Sequence, residues 1–163
     1  DVNTIGNTSM SSYRDLGYGK NATLYGAAHR ASYWSNNPNP SLVCVNENDK
    51  FTVESKNGNG KLTSPVGLIT SDEVVLAGFN TYYSNTSDYK DTTNYLYTNK
   101  DYWTFSPVMM FGSGYANVGS VYSRGGVNYG YVYNADGVRP VVSLASGTLV
   151  TGSGTTTNPY VVE

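Results

Sequence analysis

Charge is scarce in this chain. Lys, Arg, Asp and Glu make up 13% of its 163 residues, about half the share in a typical soluble domain. The cations are scattered and the net charge is −2. A phosphate backbone demands a clustered positive footprint, so nucleic acid is excluded as a partner. Histidine and cysteine are rarer still, with only His29 and Cys44. Zinc sites of the usual kind draw several ligands from these two residue types. A Ser-His-Asp triad would have to use His29, with no nucleophile-elbow motif beside it. Nothing local supports a Cys44–His29 catalytic pair. One cysteine cannot form an internal disulfide. Cys44 lies in the apolar run Ser41–Val45 and reads as a small buried hydrophobe rather than a reactive thiol.

Other features are missing as well. Gly17-Tyr18-Gly19 is too short for a phosphate loop and lacks a flanking strand. No apolar run approaches the ~18 residues that span a bilayer, so a membrane-spanning segment is not expected. No charged n-region with an apolar h-region follows Asp1. The acidic residues do not pair suggestively for glycoside hydrolysis. Asp88, Asp91 and Asp101 flank a polar loop, either as solvated charges or as a Ca²⁺ site. Sequons at Asn7, Asn21 and Asn85 arise easily by chance in a chain so rich in Asn, Ser and Thr. This inventory points away from an enzyme and away from any cofactor.

What the chain has is tyrosine and glycine. There are 16 Tyr, 12 of them at or beyond Tyr82, and 18 Gly. Tyr presents a rigid amphipathic ring at low entropic cost, which suits recognition surfaces. Abundant Gly with Asn, Ser and Thr predicts short strands joined by many turns. The length fits one domain with a real core.

Local patterns place the elements. Asn21–Arg30 reads as a short helix weakened by Gly26. Asn36–Pro40 is a loop. Leu42–Val45 and Phe51–Val53 read as short strands joined by a turn at Asn46–Asp49. Asn57-Gly58-Asn59-Gly60 is a strong turn signal. Thr70 and Glu73 form a capping box for a helix through Ala77, stopped by Gly78. Asn80–Asn99 reads as a polar surface loop. From Tyr102 short strands alternate with turns at Arg124–Gly126, Asn134–Gly137 and Gly152–Thr155. The expected strands include Val127–Tyr133 and Val138–Leu144. Tyr102–Leu144 is expected to form an antiparallel sheet packed on the Thr70 helix.

Four blocks in order carry a resemblance. They are Gly58–Glu73, Tyr102-Trp103-Thr104-Phe105-Ser106-Pro107, Gly137-Val138-Arg139-Pro140-Val141-Val142-Ser143-Leu144, and Gly152–Val161. Together, over roughly Leu42–Glu163, they resemble a module of surface proteins of gut Firmicutes. That module resembles the C-type-lectin-like fold, in the branch of the formylglycine-generating enzymes. The same branch includes the variable proteins of diversity-generating retroelements. There the segment between the Trp block and the Gly-Val-Arg-Pro block forms the binding face. Such modules are often attached to pilin-like or other exported segments. This chain departs from the enzymes, which use a cysteine pair, and from related sulfoxide synthases, which use several His. The calcium-dependent sugar motif of animal C-type lectins is absent. The resemblance therefore implies an α+β, C-type-lectin-like scaffold at the cell surface or outside the cell, displaying a site without catalysis.

Residues 1–163 are read as a single domain, with 1–40 its least characteristic part. Tyr129, Tyr131 and Tyr133 alternate along one strand, so they share a face, and Val132 points to the other. That Tyr face is either a recognition platform over a buried Val face or merely half-buried sheet surface. The expected ligand-binding residues are Phe111, Tyr115, Asn117, Asn128, Tyr129, Tyr131 and Tyr133. Arg139 reads as a clamp onto backbone carbonyls and an aromatic face, or else as a ligand contact. Trp103 is expected in the core near it. The expected partner is a protein or glycan ligand. The alternative is a pilin-like subunit or filament tip that associates with its own copies.

Overall fold

The computed structural model describes residues 22–31, 39–44, 50–53, 58, 60, 62–79, 91–111, 115–155 and 157–163. Ten short elements follow one another through them. They are β1 (Ala22–Leu24), α1 (Gly26–Arg30), β2 (Gly67–Leu68), α2 (Ser71–Leu76), β3 (Tyr102–Phe111), β4 (Ala116–Val121), β5 (Val127–Tyr131), β6 (Pro140–Val141), β7 (Val150–Thr151) and β8 (Val161–Val162). Antiparallel strands with two short helices thus make up the described architecture. Asp88, Asn7, Asn21, Asn85, Gly17–Gly19 and the Asn46–Asp49 turn lie outside the described residues.

The main sheet has the order β1-β3-β4-β5 and is antiparallel throughout. The β4–β5 hairpin turns where Arg124-Gly125-Gly126 predicted it. Gly125 and Gly126 take φ of 90° and 98°, values that favour glycine, and Tyr122 donates its N–H to Gly126 O at 3.0 Å. β3 is long and irregular. Its register against β4 shifts on both sides of Pro107, a residue with no N–H to give a ladder.

Helix α2 begins as its sequence requires. Thr70 Oγ1 accepts from Glu73 N at 3.1 Å, and Glu73 Oε2 accepts from Thr70 N at 2.7 Å. Gly78 follows the helix with φ 95°. The helix is fastened to the sheet by a chain of buried hydroxyls. Ser71 N donates to Ser106 Oγ at 2.9 Å, Ser71 Oγ lies 3.2 Å from Thr104 Oγ1, and Thr104 Oγ1 donates to Gly119 O at 2.8 Å. Under this anchor lies the apolar core of Val74, Phe79, Leu96, Tyr102, Val121 and Val127.

Several expectations change. Asn21–Arg30 does not form one helix. Ala22–Leu24 pairs instead with the end of β3, and Tyr25 N donates to Val108 O at 3.0 Å before α1 starts. Leu42–Cys44 is neither strand nor helix, because Ser41 N is drawn to the Asp72 carboxylate at 2.9 Å rather than to a sheet. Cys44 is consequently exposed rather than buried. Thr52 and Leu62 do meet, with Leu62 N donating to Thr52 O at 2.9 Å, while Asn57, Asn59 and Lys61 lie outside the described residues. In the Asn80–Asn99 stretch, residues 91–99 are not merely a polar loop, since Leu96 inserts into the core. Beyond Tyr131 the chain leaves the antiparallel ladder and touches the main sheet again at Gly137, in a parallel bridge to Tyr102. Of Val138–Leu144 only Pro140–Val141 is strand, paired with Gly67–Leu68 in a separate two-stranded sheet. β7 and β8 form a third small sheet.

Candidate functional site

One row across the main sheet joins Leu24, Met109, Asn117 and Tyr131. A second row, at the other end, joins Tyr102, Val121 and Val127. Side chains alternate between sheet faces, so Val127, Tyr129 and Tyr131 share the face covered by α2. Burial fades along that face. Val127 is 2% exposed, Tyr129 is half-buried and Tyr131 is 39% exposed. The tyrosine face is therefore the outlying end of the core face, not the reverse of a buried valine face. Val132 lies in the turn after β5 and is exposed, which removes it from any strand face.

Three rings gather at this end. Tyr115 and Tyr131 lie 5.4 Å apart at 52°, and Tyr131 and Tyr133 stack 5.1 Å apart at 7°. All three are exposed. Tyr133 follows the strand, and its ring reaches Tyr131 because Asn134 N turns back to Tyr131 O at 2.8 Å. Tyr133 has its phenol pushed above its ordinary 10.0 by desolvation, then by the neighbouring Tyr131 and Tyr115.

The other residues expected in the site divide. Asn117 is directly opposite Tyr131 but is 3% exposed, so it is buried beside the rings rather than displayed. Its Oδ1 is shut off from solvent and has no hydrogen-bond partner among the described residues. Asn128 pairs with Ser120 and faces the opposite side of the sheet from the tyrosines. Phe111 ends β3, paired with Ala22. Nothing in the sequence marked Asn117 as the buried member of the set. Its burial follows from its central strand, with Met109 on one side and Tyr131 on the other.

Arg139 and Trp103 are not neighbours in the way expected. Arg139 donates to Leu96 O at 3.0 Å, and its guanidinium carbon sits 5.2 Å from the centre of the Tyr102 ring. Trp103, one residue along β3, points to the other face. There it is half-buried, and its ring closely approaches Gly130. The aromatic partner of Arg139 is thus Tyr102. Burial raises the Tyr102 pKa above 10.0, and the adjacent Arg139 partly opposes the shift.

The two described acids of the proposed Ca²⁺ loop hold backbone. Asp91 Oδ1 accepts from Thr93 N and Thr93 Oγ1, and Asp101 Oδ1 accepts from Ser123 N at 2.7 Å. Among the described residues no group of three or more His, Cys, Asp or Glu could hold a metal ion.

A separate cavity of about 260 Å³ opens between α1, α2 and β3, lined by Tyr25, Arg30, Leu42, Asp72, Phe105 and Pro107 among others. At its polar wall Arg30 Nε donates to Asp72 Oδ1 at 3.0 Å. Their separation of 42 positions explains why local sequence did not reveal this pair: Asp72 looked only like a first-turn acid. Both carboxylate oxygens accept from Arg30, and Oδ1 also accepts from Ser41 N, so the pair ties three segments together.

No family model, curated protein or solved structure matches this chain. Among the described residues no helix is long and apolar enough to cross a membrane.

Proposed function

We propose that this chain is a ligand-displaying domain of a bacterial secreted or cell-surface protein, binding through Tyr115, Tyr131 and Tyr133. On this reading the scaffold is C-type-lectin-like and the domain is an adhesin- or receptor-type module rather than an enzyme. The observation that carries the proposal is the exposed three-ring cluster on the end of a core-facing strand. Tyr is a preferred hot-spot residue, and rings held by one another lose little freedom on binding. The sequence resemblance, which extends to variable proteins of diversity-generating retroelements, supports the same segment as the binding face. The test is Tyr131→Ala against a panel of bacterial, host and phage surface ligands. Loss of a captured ligand with an unchanged melting temperature supports display. Retained binding rejects it.

A second reading has its own observation. No charged residue lies between Arg139 and Glu163, and Val142, Leu149 and Val161 are each more than half exposed. Uncharged, exposed apolar residues in and beside short strands invite pairing with other chains. This favours a subunit or filament tip that associates with its own copies. Sedimentation velocity distinguishes the two: concentration-dependent oligomers abolished by Leu149→Lys and Val161→Lys support self-association.

A further inference from the structure

We propose that the cavity between α1, α2 and β3 is a binding site for a primary alkylammonium group, the chemistry that ends a lysine side chain or a short aliphatic amine. The site goes beyond the display reading, since it borders β3, two strands from Tyr131 on β5. Three observations converge on it. The first is the apolar wall. Leu42, Val43, Phe105 and Pro107 line the cavity and are all exposed, so an alkyl chain laid against them removes apolar surface from water. Phe105 is itself held edge-to-face against Phe51, with ring centroids 4.4 Å apart. The volume of about 260 Å³ lies below the roughly 300–1,000 Å³ of drug-sized pockets. It suits one unbranched chain rather than a fused ring system.

The second observation is charge. Among the described residues, three charged side chains line the cavity: Arg30, Asp72 and Glu73. Arg30 and Asp72 cancel, since Nε donates to Oδ1 at 3.0 Å and Nη2 donates to Oδ2 at 3.3 Å. What remains is the single negative charge of Glu73, an exposed residue, and its complement is a cation. Tyr25 and Phe105 add aromatic rings to the same lining, and ring faces attract cations. The third observation is the division of labour within the Glu73 carboxylate. Oε2 accepts from Thr70 N at 2.7 Å and from Thr70 Oγ1 at 2.8 Å, while Oε1 has no such partner among the described residues. A guanidinium pairs best with both oxygens of a carboxylate at once. An ammonium is a point charge that needs only one. The half-occupied carboxylate therefore selects an ammonium over a guanidinium.

The probe is n-pentylammonium chloride, added to the full chain and followed by amide chemical shifts. Leu42, Thr70 and Phe105 should shift together. Affinity should rise about threefold to fourfold per methylene from ethylammonium to pentylammonium. n-Pentanol and n-butylguanidinium should both bind more weakly. Glu73→Gln keeps the capping box, which Gln also closes, and should weaken pentylammonium about threefold to fivefold, the range of one exposed charge pair. Should Glu73→Gln fail to fold, the comparison of pentylammonium with n-pentanol on the parent chain carries the test. Binding of Nα-acetyl-lysine N-methylamide alongside pentylammonium supports the site with a partner protein's lysine as the source. Binding of free amines alone supports it with a small amine as the source. Absence of shifts at Leu42, Thr70 and Phe105 overturns the proposal. So does equal affinity for n-pentanol or n-butylguanidinium, or unchanged affinity in Glu73→Gln. Pentylammonium bound only at Tyr131 and Tyr133 overturns it as well and leaves the display reading standing.

Discussion

Arg139 and Leu96 are joined by a guanidinium–carbonyl hydrogen bond of 3.0 Å across 43 residues of chain. Tyr102 donates its hydroxyl to the same carbonyl at 2.9 Å. One backbone oxygen thus collects the residue after Gly137-Val138, the start of β3 and the segment before it. Arg139→Ala should destabilise the domain by about 1–2 kcal/mol, through the lost charged hydrogen bond and the lost cation–π contact. The retained Tyr102 bond keeps the loss from being larger. Thermal unfolding should show a drop of several degrees, and Arg139→Lys should recover only part of it. An unchanged midpoint would remove Arg139 from the scaffold.

Alkaline pH should weaken the fold through Tyr102. Its folded pKa is raised by burial, against the opposing influence of Arg139. A group raised on folding contributes stability that is whole below its unfolded pKa and disappears as pH climbs through the folded value. The denaturant midpoint should therefore hold up to about pH 10 and fall above it. Tyr102→Phe should be less stable near neutrality by about 1 kcal/mol, from the lost bond to Leu96 O. Its decline above pH 10 should be shallower than that of the parent chain. Parallel curves for the two proteins would refute this role.

Gly119 should tolerate no side chain. A Cβ there would collide with Ser71 Oγ and approach Thr104 Oγ1 to 2.6 Å and Ser106 O to 3.3 Å. These are the hydroxyls that hold α2 on the sheet. Gly119→Ala should cost about 1–3 kcal/mol by overpacking. Gly67→Ala is the control, since nothing lies within 4 Å of its added carbon, and its unfolding midpoint should barely move. Equal effects from the two substitutions would contradict the packing argument.

Thr70→Ala removes the cap of α2 and should lower stability by about 1 kcal/mol. Hydrogen exchange should show the loss first at Glu73 N, which Thr70 Oγ1 serves directly. Protection at Glu73 equal to that of the parent would mean that the cap adds nothing.

The parts legible in the sequence were those set by short-range chemistry. Thr70 with Glu73 specified a helix start, Gly78 its stop, and Arg124-Gly125-Gly126 a hairpin, because each motif satisfies its own backbone groups within a few residues. The parts that were not legible depend on distant partners. Nothing near Ser41 says that its N–H will go to Asp72, so Leu42–Cys44 looked like a strand. Alternation correctly put Tyr129 and Tyr131 on one face but could not say which face α2 would cover. It took Val132 as the sign of a buried side, whereas the core residue of β5 is Val127, on the tyrosine side. Asn117 and Asn128 are alike in local sequence. Register alone separates them, burying one beside the rings and turning the other to the opposite face.

The fading burial along β5 has a consequence for how this surface can change over generations. Selection on a binding face usually contends with the fold, because side chains that touch a partner also hold the interior. Here Val127 is inside and Tyr133 is 67% exposed, only six positions away. Replacing an exposed ring leaves little or no cavity, so most residues could stand at Tyr115, Tyr131 or Tyr133 without unfolding the domain. Adaptation at that rim can proceed in single steps, each neutral for stability, while the hydroxyl anchor under α2 stays untouched.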